Sequence, residues 1–437
     1  MLMRNQNKIF FLFVAVFLVF LNPRILESKP LEEIFELALD VSSKEPNVIS
    51  GRIDVESIEA DLSAARRARL PVFNASIVNA LMLDRKISDK NSLRKFEDDG
   101  LDLRVQMVQP IFTGFRIQSD INRNKARLSG QVLQANKRFS ETIIESTIAY
   151  INYNAALKFK DQVNTTLTRA KRIVDLEEKR FNAGLTDLSI YSQIKVKLSE
   201  IQLLYNRSEN ELFSYEAAFR RFFDTGINPT GEVTSYRDFN FDGYDSDNIS
   251  YDLETAKYEL ESAKADLQKS RGDGLPSVAL TVTGTLYDVD GSSEEEDEYD
   301  VKGGLQASWQ FLDFGANRKR VSAKRSTVNS VRYRIDYQRR IDEVEKLSLL
   351  SNISSIYKQL NDQYQALDDL NNQANVLQAQ LTSAQFIGVS FIDLLFQINQ
   401  IQRNINMLEA QYVQVNLSLK LISQNLQNFV ITKAVNN

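Results

Sequence analysis

The positions of helix-breaking residues constrain this chain more than any other feature of its sequence. No proline lies within residues 111–228 or after residue 277. Glycine occurs only at 130 and 184 between Phe115 and Phe223, and only at 388 from Ala316 onward. Because proline breaks a helix interior and glycine weakens it, each stretch of over a hundred residues predicts long helices. The isolated Gly184 and Gly388 predict tight reversals between antiparallel helices.

Apolar side chains recur every three or four residues in both stretches, as on one face of a helix. They are Ile144, Ile148, Ile151, Ala155 and Phe159 in the first stretch, and Leu360, Tyr364, Leu367, Leu370, Ala374, Leu377 and Leu381 in the second. A helix from Arg116 to about Asn182 would be about 100 Å long. A helix of that length cannot bury its apolar stripe in a globular domain, so the sequence predicts antiparallel coiled-coil packing.

Strand-like sequence precedes each long helix. Four segments alternate apolar and polar residues, and they are Leu70–Leu83, Leu101–Phe112, Leu275–Tyr287 and Val301–Leu312. Their lengths suit tilted membrane-spanning strands, and the only tryptophan, Trp309, falls near a strand end, where interfacial aromatic residues collect. Alternation alone leaves open a soluble antiparallel sheet resting on a core.

The chain is a tandem repeat. Ala60-Asp61-Leu62 precedes Leu70-Pro71 by the same spacing that separates Ala265-Asp266-Leu267 from Leu275-Pro276. The two copies stay about 200 residues apart through strand, turn and long helix, which indicates one duplicated unit. The predicted organisation is a signal peptide at 1–28, a first repeat at 29–223, a linker at 224–248, a second repeat at 249–430 and a tail at 431–437.

Two strands from each repeat make four strands in the chain. Four strands cannot close a membrane barrel, because about eight is the smallest closed form. Open sheet edges are not tolerated in lipid. If the strands lie in a membrane, the protein must therefore oligomerise.

The first 28 residues have the pattern of a secretory signal peptide. Arg4 and Lys8 precede an apolar run at 9–21, and Pro23 ends it. This run is too short to span a bilayer comfortably, since a spanning helix needs about 20 residues. The alternative is an N-terminal membrane anchor that is not cleaved.

The composition narrows the function. The chain contains no cysteine and no histidine, which removes thiolate chemistry, the commonest general base and the commonest metal ligands. Its formal net charge of -5 gives no electrostatic reason to expect a nucleic acid as a partner. We therefore expect no enzyme activity, no catalytic residues, no cofactor and no bound metal.

The order and duplication of the motifs resemble the TolC family of outer-membrane efflux and secretion channels. The motifs that carry this resemblance are the opening helix at Leu31–Val48, the Leu-Pro pairs at 70–71 and 275–276, the strand-to-helix turns with Gly114, Arg116, Gly315 and Arg318, and the hairpin tips at Arg180–Leu188 and Gln385–Leu395. The resemblance covers nearly all of the chain after residue 28.

The resemblance implies an α+β membrane protein. Three identical chains would form a twelve-stranded outer-membrane β-barrel and a periplasmic α-barrel of long helices, with the linker and tail as a belt. The chain would be the passive channel of a tripartite efflux or type I secretion system. Substrates would come from an inner-membrane ABC or proton-driven transporter through a periplasmic adaptor, and outer-membrane lipid would surround the strands.

The resemblance also implies residue roles at the periplasmic tips. Asp393 matches a lumen-facing aspartate of the family, whereas Phe396 stands where a second aspartate is typical, so a gate or constriction would combine a carboxylate with an aromatic residue. The alternative is that Asp393 caps a helix. For Asp187, at the other tip, a solvated or capping role is favoured over gating. The residues expected to contact an adaptor are Gly184, Leu185, Thr186, Asp187, Gly388, Val389 and Ser390.

Three charged segments have open interpretations. The acidic run Ser292–Glu298 suits a solvated outer loop, with divalent-cation binding as the alternative. Two basic clusters lie where helix meets strand and suit either anionic lipid head groups or ordinary surface charge. They are Arg66, Arg67 and Arg69, and Arg318, Lys319 and Arg320.

A secreted or anchored coiled-coil scaffold or adhesin without a pore is the alternative function. It would account for the helices and the signal sequence. It would not account for two pairs of strands duplicated at a constant offset.

Overall fold

The computed structural model describes most of the chain outside its N-terminal segment. The described residues are 31–79, 101–224, 226–227, 229, 236–239, 241, 249–286, 299–381 and 388–435. The predicted signal peptide, the acidic run Ser292–Glu298, the strand residues beyond 79 and 286, and most of the linker lie outside them.

Long helices and four strands alternate along the described chain in the order that the sequence predicts. The helices are α1 (Leu31–Lys44), α2 (Pro46–Arg67), α3 (Arg116–Asn182), α4 (Leu188–Arg220), α5 (Tyr251–Gly272), α6 (Ala316–Leu381), α7 (Gly388–Ile422) and α8 (Leu426–Val435). The strands are β1 (Val72–Asn79), β2 (Leu101–Phe112), β3 (Ser277–Leu286) and β4 (Tyr299–Ser308).

Helices α3 and α6 are the long elements. Helix α3 has 67 residues and α6 has 66, so each is about 100 Å long. The half of α3 near the sheet packs against α2 and α5, and its far half packs against α4 and α7. The expected helix from Arg116 to Asn182 is confirmed, because no residue that breaks a helix interrupts it.

The four strands form one antiparallel sheet in the order β1-β2-β3-β4. Its register aligns Phe73 with Met107, Met107 with Val282, and Leu280 with Leu305. These residues share one face, and the polar residues between them share the other. No helix packs over the sheet within the described chain, so the apolar face has no protein core against it.

The register confirms the tandem repeat at the level of single residues. In the first hairpin Phe73 lies opposite Met107, and in the second hairpin Val278 lies opposite Ala307. The first partners are 205 residues apart in the sequence and the second are 200 apart. Both hairpins therefore have the same register, as expected from duplication of one unit.

The strand bounds differ from the sequence prediction at three places. Strands β1 and β3 begin two residues after the predicted starts at Leu70 and Leu275. Strand β4 begins at Tyr299 and ends at Ser308, whereas the alternation predicted a strand as far as Leu312. The alternating residues at 309–312 have no strand partner among the described residues, and without a ladder they are not strand.

The main apolar core lies around the middle of α3. Helices α1 and α8 pack there with the ends of α4 and α7 and with linker residues Tyr236, Phe239 and Phe241. Glu409 is buried in this region and accepts a hydrogen bond of 2.6 Å from the Tyr364 hydroxyl. Helix α8 crosses the predicted boundary between the second repeat and the tail at 430/431, because Val430 is part of this core.

Helix α6 is much less covered than its counterpart α3. Val344 is 66% exposed, whereas Ile144, 200 residues earlier, is 8% exposed. Leu350 is 43% exposed, whereas Tyr150 is 2% exposed. Among the described residues, no helix is both long and apolar enough to cross a membrane.

Candidate functional site at the helix tips

Four helices meet at the end of the molecule far from the sheet. Their apolar side chains form a tip cluster that includes Ala170 of α3, Ile194 and Ile201 of α4, and Ile392 of α7, all fully buried. Ala374 and Leu377 of α6 pack against it. The cluster joins the α3–α4 and α6–α7 hairpins, so it fixes which charged residues of the two hairpins meet.

Asp393 meets a cation from the other hairpin. Its Oδ1 lies 2.8 Å from Nζ of Lys197 on α4, and its Oδ2 accepts a hydrogen bond of 2.9 Å from Gln397. Lys197 also lies 3.0 Å from Glu200. The Lys197 hydrogen bond holds the pKa of Asp393 below its usual value, and the same contact raises the pKa of Lys197. Both groups are therefore charged at neutral pH.

The structure corrects the capping interpretation of Asp393. Helix α7 already includes Gly388, so Asp393 lies more than one turn inside the helix and cannot cap it. Gly388 itself is buried and helical rather than part of the expected reversal, and residues 382–387 lie outside the described residues. Val389 is half-buried and Ser390 is exposed in the first turn of α7.

Phe396 of α7 packs against helices of the first repeat. Its side chain is half-buried and packs with the tip cluster and with Phe159, Val163 and Leu204 of the neighbouring helices. An aromatic side chain held among apolar residues of α3 and α4 stabilises the packing of the two hairpins. Phe396 therefore contributes to this packing, and a constriction that combines Asp393 with Phe396 remains a prediction.

The other tip has the reversal that the sequence predicts. Gly184 has a φ of 72°, and the Leu185 N–H donates to the Arg180 carbonyl at 2.8 Å, which closes the end of α3. Asp187 caps α4, since its carboxylate accepts from the Ile190 N–H at 2.8 Å. Leu185 is 68% exposed and Thr186 is half-buried. The Leu185 side chain therefore gives this tip an apolar surface that is exposed to solvent.

The strand-to-helix turns are equivalent in the two repeats. Each has two consecutive residues in the left-handed region, Gly114-Phe115 and Phe314-Gly315. Arg116 is the first residue of α3, and its Nε donates to the Thr113 carbonyl at 2.8 Å. This contact ties the start of α3 to the residue that follows β2.

Arg318 has a different position from Arg116. It lies exposed in the first turn of α6, beside Lys319 and Arg320. Positive charge at a helix N-terminus opposes the helix dipole. Asp313 offsets it by accepting from the Gly315 and Asn317 N–H groups at 3.0 and 2.6 Å, and these bonds lower its pKa.

Sequence reasoning did not identify Lys197 or Asp313. Asp313 had a detectable signal, because an aspartate in a turn commonly accepts a hydrogen bond from a backbone N–H two residues later. Lys197 had none, because its importance comes only from the packing of α4 beside α7. The basic residues Arg66, Arg67 and Arg69 are exposed next to the sheet, as Arg318 is.

The geometry defines a class of protein. A sheet with one uncovered apolar face and two open edges, joined to long helical hairpins, is the architecture of an outer-membrane channel subunit. Residues 40–221 match the family described as outer membrane efflux protein. No curated protein matches the chain.

Solved channel structures share the whole fold. The outer membrane channel CmeC of Campylobacter jejuni has a TM-score of 0.73 at 14% identity, over 93% of this chain and 89% of that one. CusC has a TM-score of 0.75 at 11% identity, over 93% and 96%. The outer membrane protein VceC of Vibrio cholerae has a TM-score of 0.69 at 13% identity, over 90% and 95%.

The sequence match over residues 40–221 and the shared fold agree with each other. Both bear out the resemblance to TolC-type outer-membrane channels that the motifs predicted. Both findings support an outer-membrane efflux channel with a periplasmic helical portion.

Proposed function

We propose that three copies of this chain form the outer-membrane channel of a tripartite efflux or type I secretion system. The chain would receive substrates from an inner-membrane ABC or proton-driven transporter through a periplasmic adaptor. The observation that carries the trimer is the contrast between α3 and α6. Val344 and Leu350 are exposed where their counterparts in the first repeat are buried, so a neighbouring subunit is expected to cover them.

The sheet supports the same assembly. Its mainly apolar face extends across all four strands, with Gln109 and Asn79 as its polar positions, and outer-membrane lipid is the environment that such a face fits. The scaffold alternative gives no role to this face. A pore-less coiled coil would also leave both sheet edges open.

The pair formed by Asp393 and Lys197, which we call the clasp, is the proposed gate element. It joins the α3–α4 and α6–α7 hairpins of one subunit near their tips. Three copies would hold the tips together, and separating the hairpins would break three ion pairs. Because each carboxylate already has a cation within 2.8 Å, the clasp attracts free cations less than a ring of unpaired carboxylates would.

The α3–α4 tip is the proposed contact for the adaptor. Leu185 and Leu188 are 68% and 62% exposed, which gives an apolar surface beside the reversal at Gly184. The α6–α7 tip offers less, because Gly388 is buried and Val389 is half-buried. We therefore expect adaptor binding to depend more on residues 184–188 than on 388–390.

Single-channel conductance in a planar bilayer tests the channel and its gate together. Asp393→Asn removes the ion pair, and we expect larger or more frequent openings. Lys197→Gln should do the same, because it breaks the same pair from the other side. Asp187→Asn is the matched control, since it removes one tip charge while asparagine still caps α4.

Each outcome has a distinct meaning. Lys197→Gln could instead close the channel further or only increase its cation selectivity. In that case the three Asp393 carboxylates act as an unpaired ring, and the proposal that the clasp gates the channel is wrong. If Asp187→Asn opens the channel as strongly as Asp393→Asn, general tip charge controls conductance. If a folded oligomer gives no conductance steps at all, the scaffold alternative replaces the channel.

A further inference from the structure

The two edges of the sheet lack strand neighbours in the described chain. Strand β1 pairs only with β2, and β4 pairs only with β3. The central pair, β2 with β3, is the place where the first repeat meets the second. Because the two repeats are equivalent, the register of this internal junction predicts the register of a junction between subunits.

The equivalence of the repeats extends to side-chain hydrogen bonds. The Gln109 amide donates to the Arg69 carbonyl at 2.7 Å, and the Trp309 indole donates to the Gly274 carbonyl at 3.1 Å. The donors are 200 residues apart and the acceptors 205 apart. These are the same offsets that relate the two hairpin registers, so strands β2 and β4 correspond, as do strands β1 and β3.

One difference breaks this equivalence. Strand β2 continues through Phe112, where it pairs with Val278 after a bulge that follows Pro110. Strand β4 stops at Ser308, although its sequence alternates through residue 312. The last residues of β2 have β3 as a partner, whereas residues 309–312 face the open edge.

We propose that residues 309–312 extend β4 when it pairs with β1 of a second copy of this chain, in the register of the β2–β3 junction. That junction places Met107 opposite Val282. The equivalent pair between subunits is Ala307 opposite the partner subunit's Ile77. Trp309 then lies opposite the partner subunit's Ala75. The register rests on the proposed trimer and specifies its interface.

This register satisfies the physical requirements of the sheet. It keeps Leu305, Ala307 and Trp309 on the same face as Ile77 and Ala75, so the apolar face stays continuous around the assembly. A slip by one residue would place polar residues of one strand beside apolar residues of the other. It also gives hydrogen-bonding partners to those backbone N–H and C=O groups of residues 309–312 that point toward the open edge.

The absence of cysteine from the chain makes the register directly testable by disulfide formation. Opposed residues in antiparallel strands alternate between pairs with Cα atoms about 5.5 and about 4.5 Å apart. One of the double variants Ala307→Cys/Ile77→Cys and Ser308→Cys/Ser76→Cys therefore has the closer spacing, which suits a disulfide. We expect a covalent three-chain band on non-reducing gels that reductant removes.

The matched controls shift one partner by two residues on the same face. In Ala307→Cys/Ala75→Cys and Ser308→Cys/Asn74→Cys the cysteines would be diagonal neighbours, about 7–8 Å apart, and we expect at least tenfold less cross-linking. Equal or greater cross-linking of a shifted pair overturns the register. So does the absence of cross-linking in both matched pairs when light scattering shows a trimer. A monomer by light scattering would instead contradict the proposed trimer.

Amide hydrogen exchange of the unmodified protein provides a test without substitutions. In the detergent-solubilised trimer, we expect residues 309–312 to exchange as slowly as residues 109–112, which already lie in a strand. Exchange as fast as in an unpaired loop would overturn the strand extension even if the cysteine pairs cross-link.

Discussion

Asp393 and Lys197 belong to different helices and meet only because α4 and α7 pack side by side at the tip. Asp187 lies at the other tip but bonds to its own helix. Two aspartates at similar places in the two hairpins thus have different roles. The neighbouring groups, rather than the residue type, decide which of them links the two hairpins.

The pKa of Asp393 predicts how the clasp responds to pH. Because Lys197 lowers that pKa in the folded protein, the clasp's stabilisation is fully present above the usual aspartate pKa and is lost as pH falls through the folded value. We expect conductance to stay constant from about pH 8 to about pH 5 and to rise only below about pH 4. Asp393→Asn should remove this acid response. A transition near neutral pH would instead indicate carboxylates that repel one another.

The elements of the two repeats meet through backbone as well as side chains. A Cβ atom at Gly272, the last residue of α5, would overlap the carbonyl oxygen of Gly114 in the turn before α3. Gly114 has a φ of 63°, so it has two reasons to be glycine. This contact brings α5 of the second repeat against the strand-to-helix turn of the first, and it sets the junction between β2 and β3.

Gly272→Ala should therefore loosen the contact between the repeats. We expect a loss of about 1–3 kcal/mol in the free energy of unfolding, since neither backbone can move freely. Thermal unfolding followed by circular dichroism measures it as a lower Tm. Gly304→Ala is the control, because a Cβ there meets nothing within 4 Å. An equal loss in both variants would show that strand propensity or general packing, not the Gly114 contact, is responsible.

At the scale of the whole molecule, α6 is the helix whose apolar residues a single chain buries only on one side. Val331 and Ile335 on one side pack against α5. Tyr333, Val344 and Leu347 on the opposite side are 77%, 66% and 63% exposed. A helix with apolar residues on two opposite sides requires neighbours on both, and the described chain supplies only one set.

Leu347→Lys should weaken the trimer without unfolding the subunit. A charged side chain buried between subunits loses its hydration without gaining a partner. We expect light scattering in detergent to show a shift from trimer to monomer, while circular dichroism retains the helical signal. Glu345→Lys introduces the same residue away from the stripe and should leave the trimer intact. A stable Leu347→Lys trimer would place the subunit interface on another surface.

The sequence by itself determined the elements and their duplication. The absence of helix breakers after Arg116 sufficed to predict both ends of α3, and alternation located all four strands. The signals are local, because proline, glycine and the period of the apolar residues act within a few residues of each position. The same locality explains why Gly184 was correctly placed at a reversal.

Only the tertiary structure decided which residues meet. The ion pair between Asp393 and Lys197, the packing of Phe396 and the contact between Gly114 and Gly272 join positions far apart in the chain. Strand alternation continued to Leu312, but β4 ends at Ser308, because a strand requires a hydrogen-bonding neighbour as well as a suitable sequence. The local sequence pattern specifies which secondary structure a segment is able to form. The packing of the chain determines whether a neighbouring element lies close enough to pair with it.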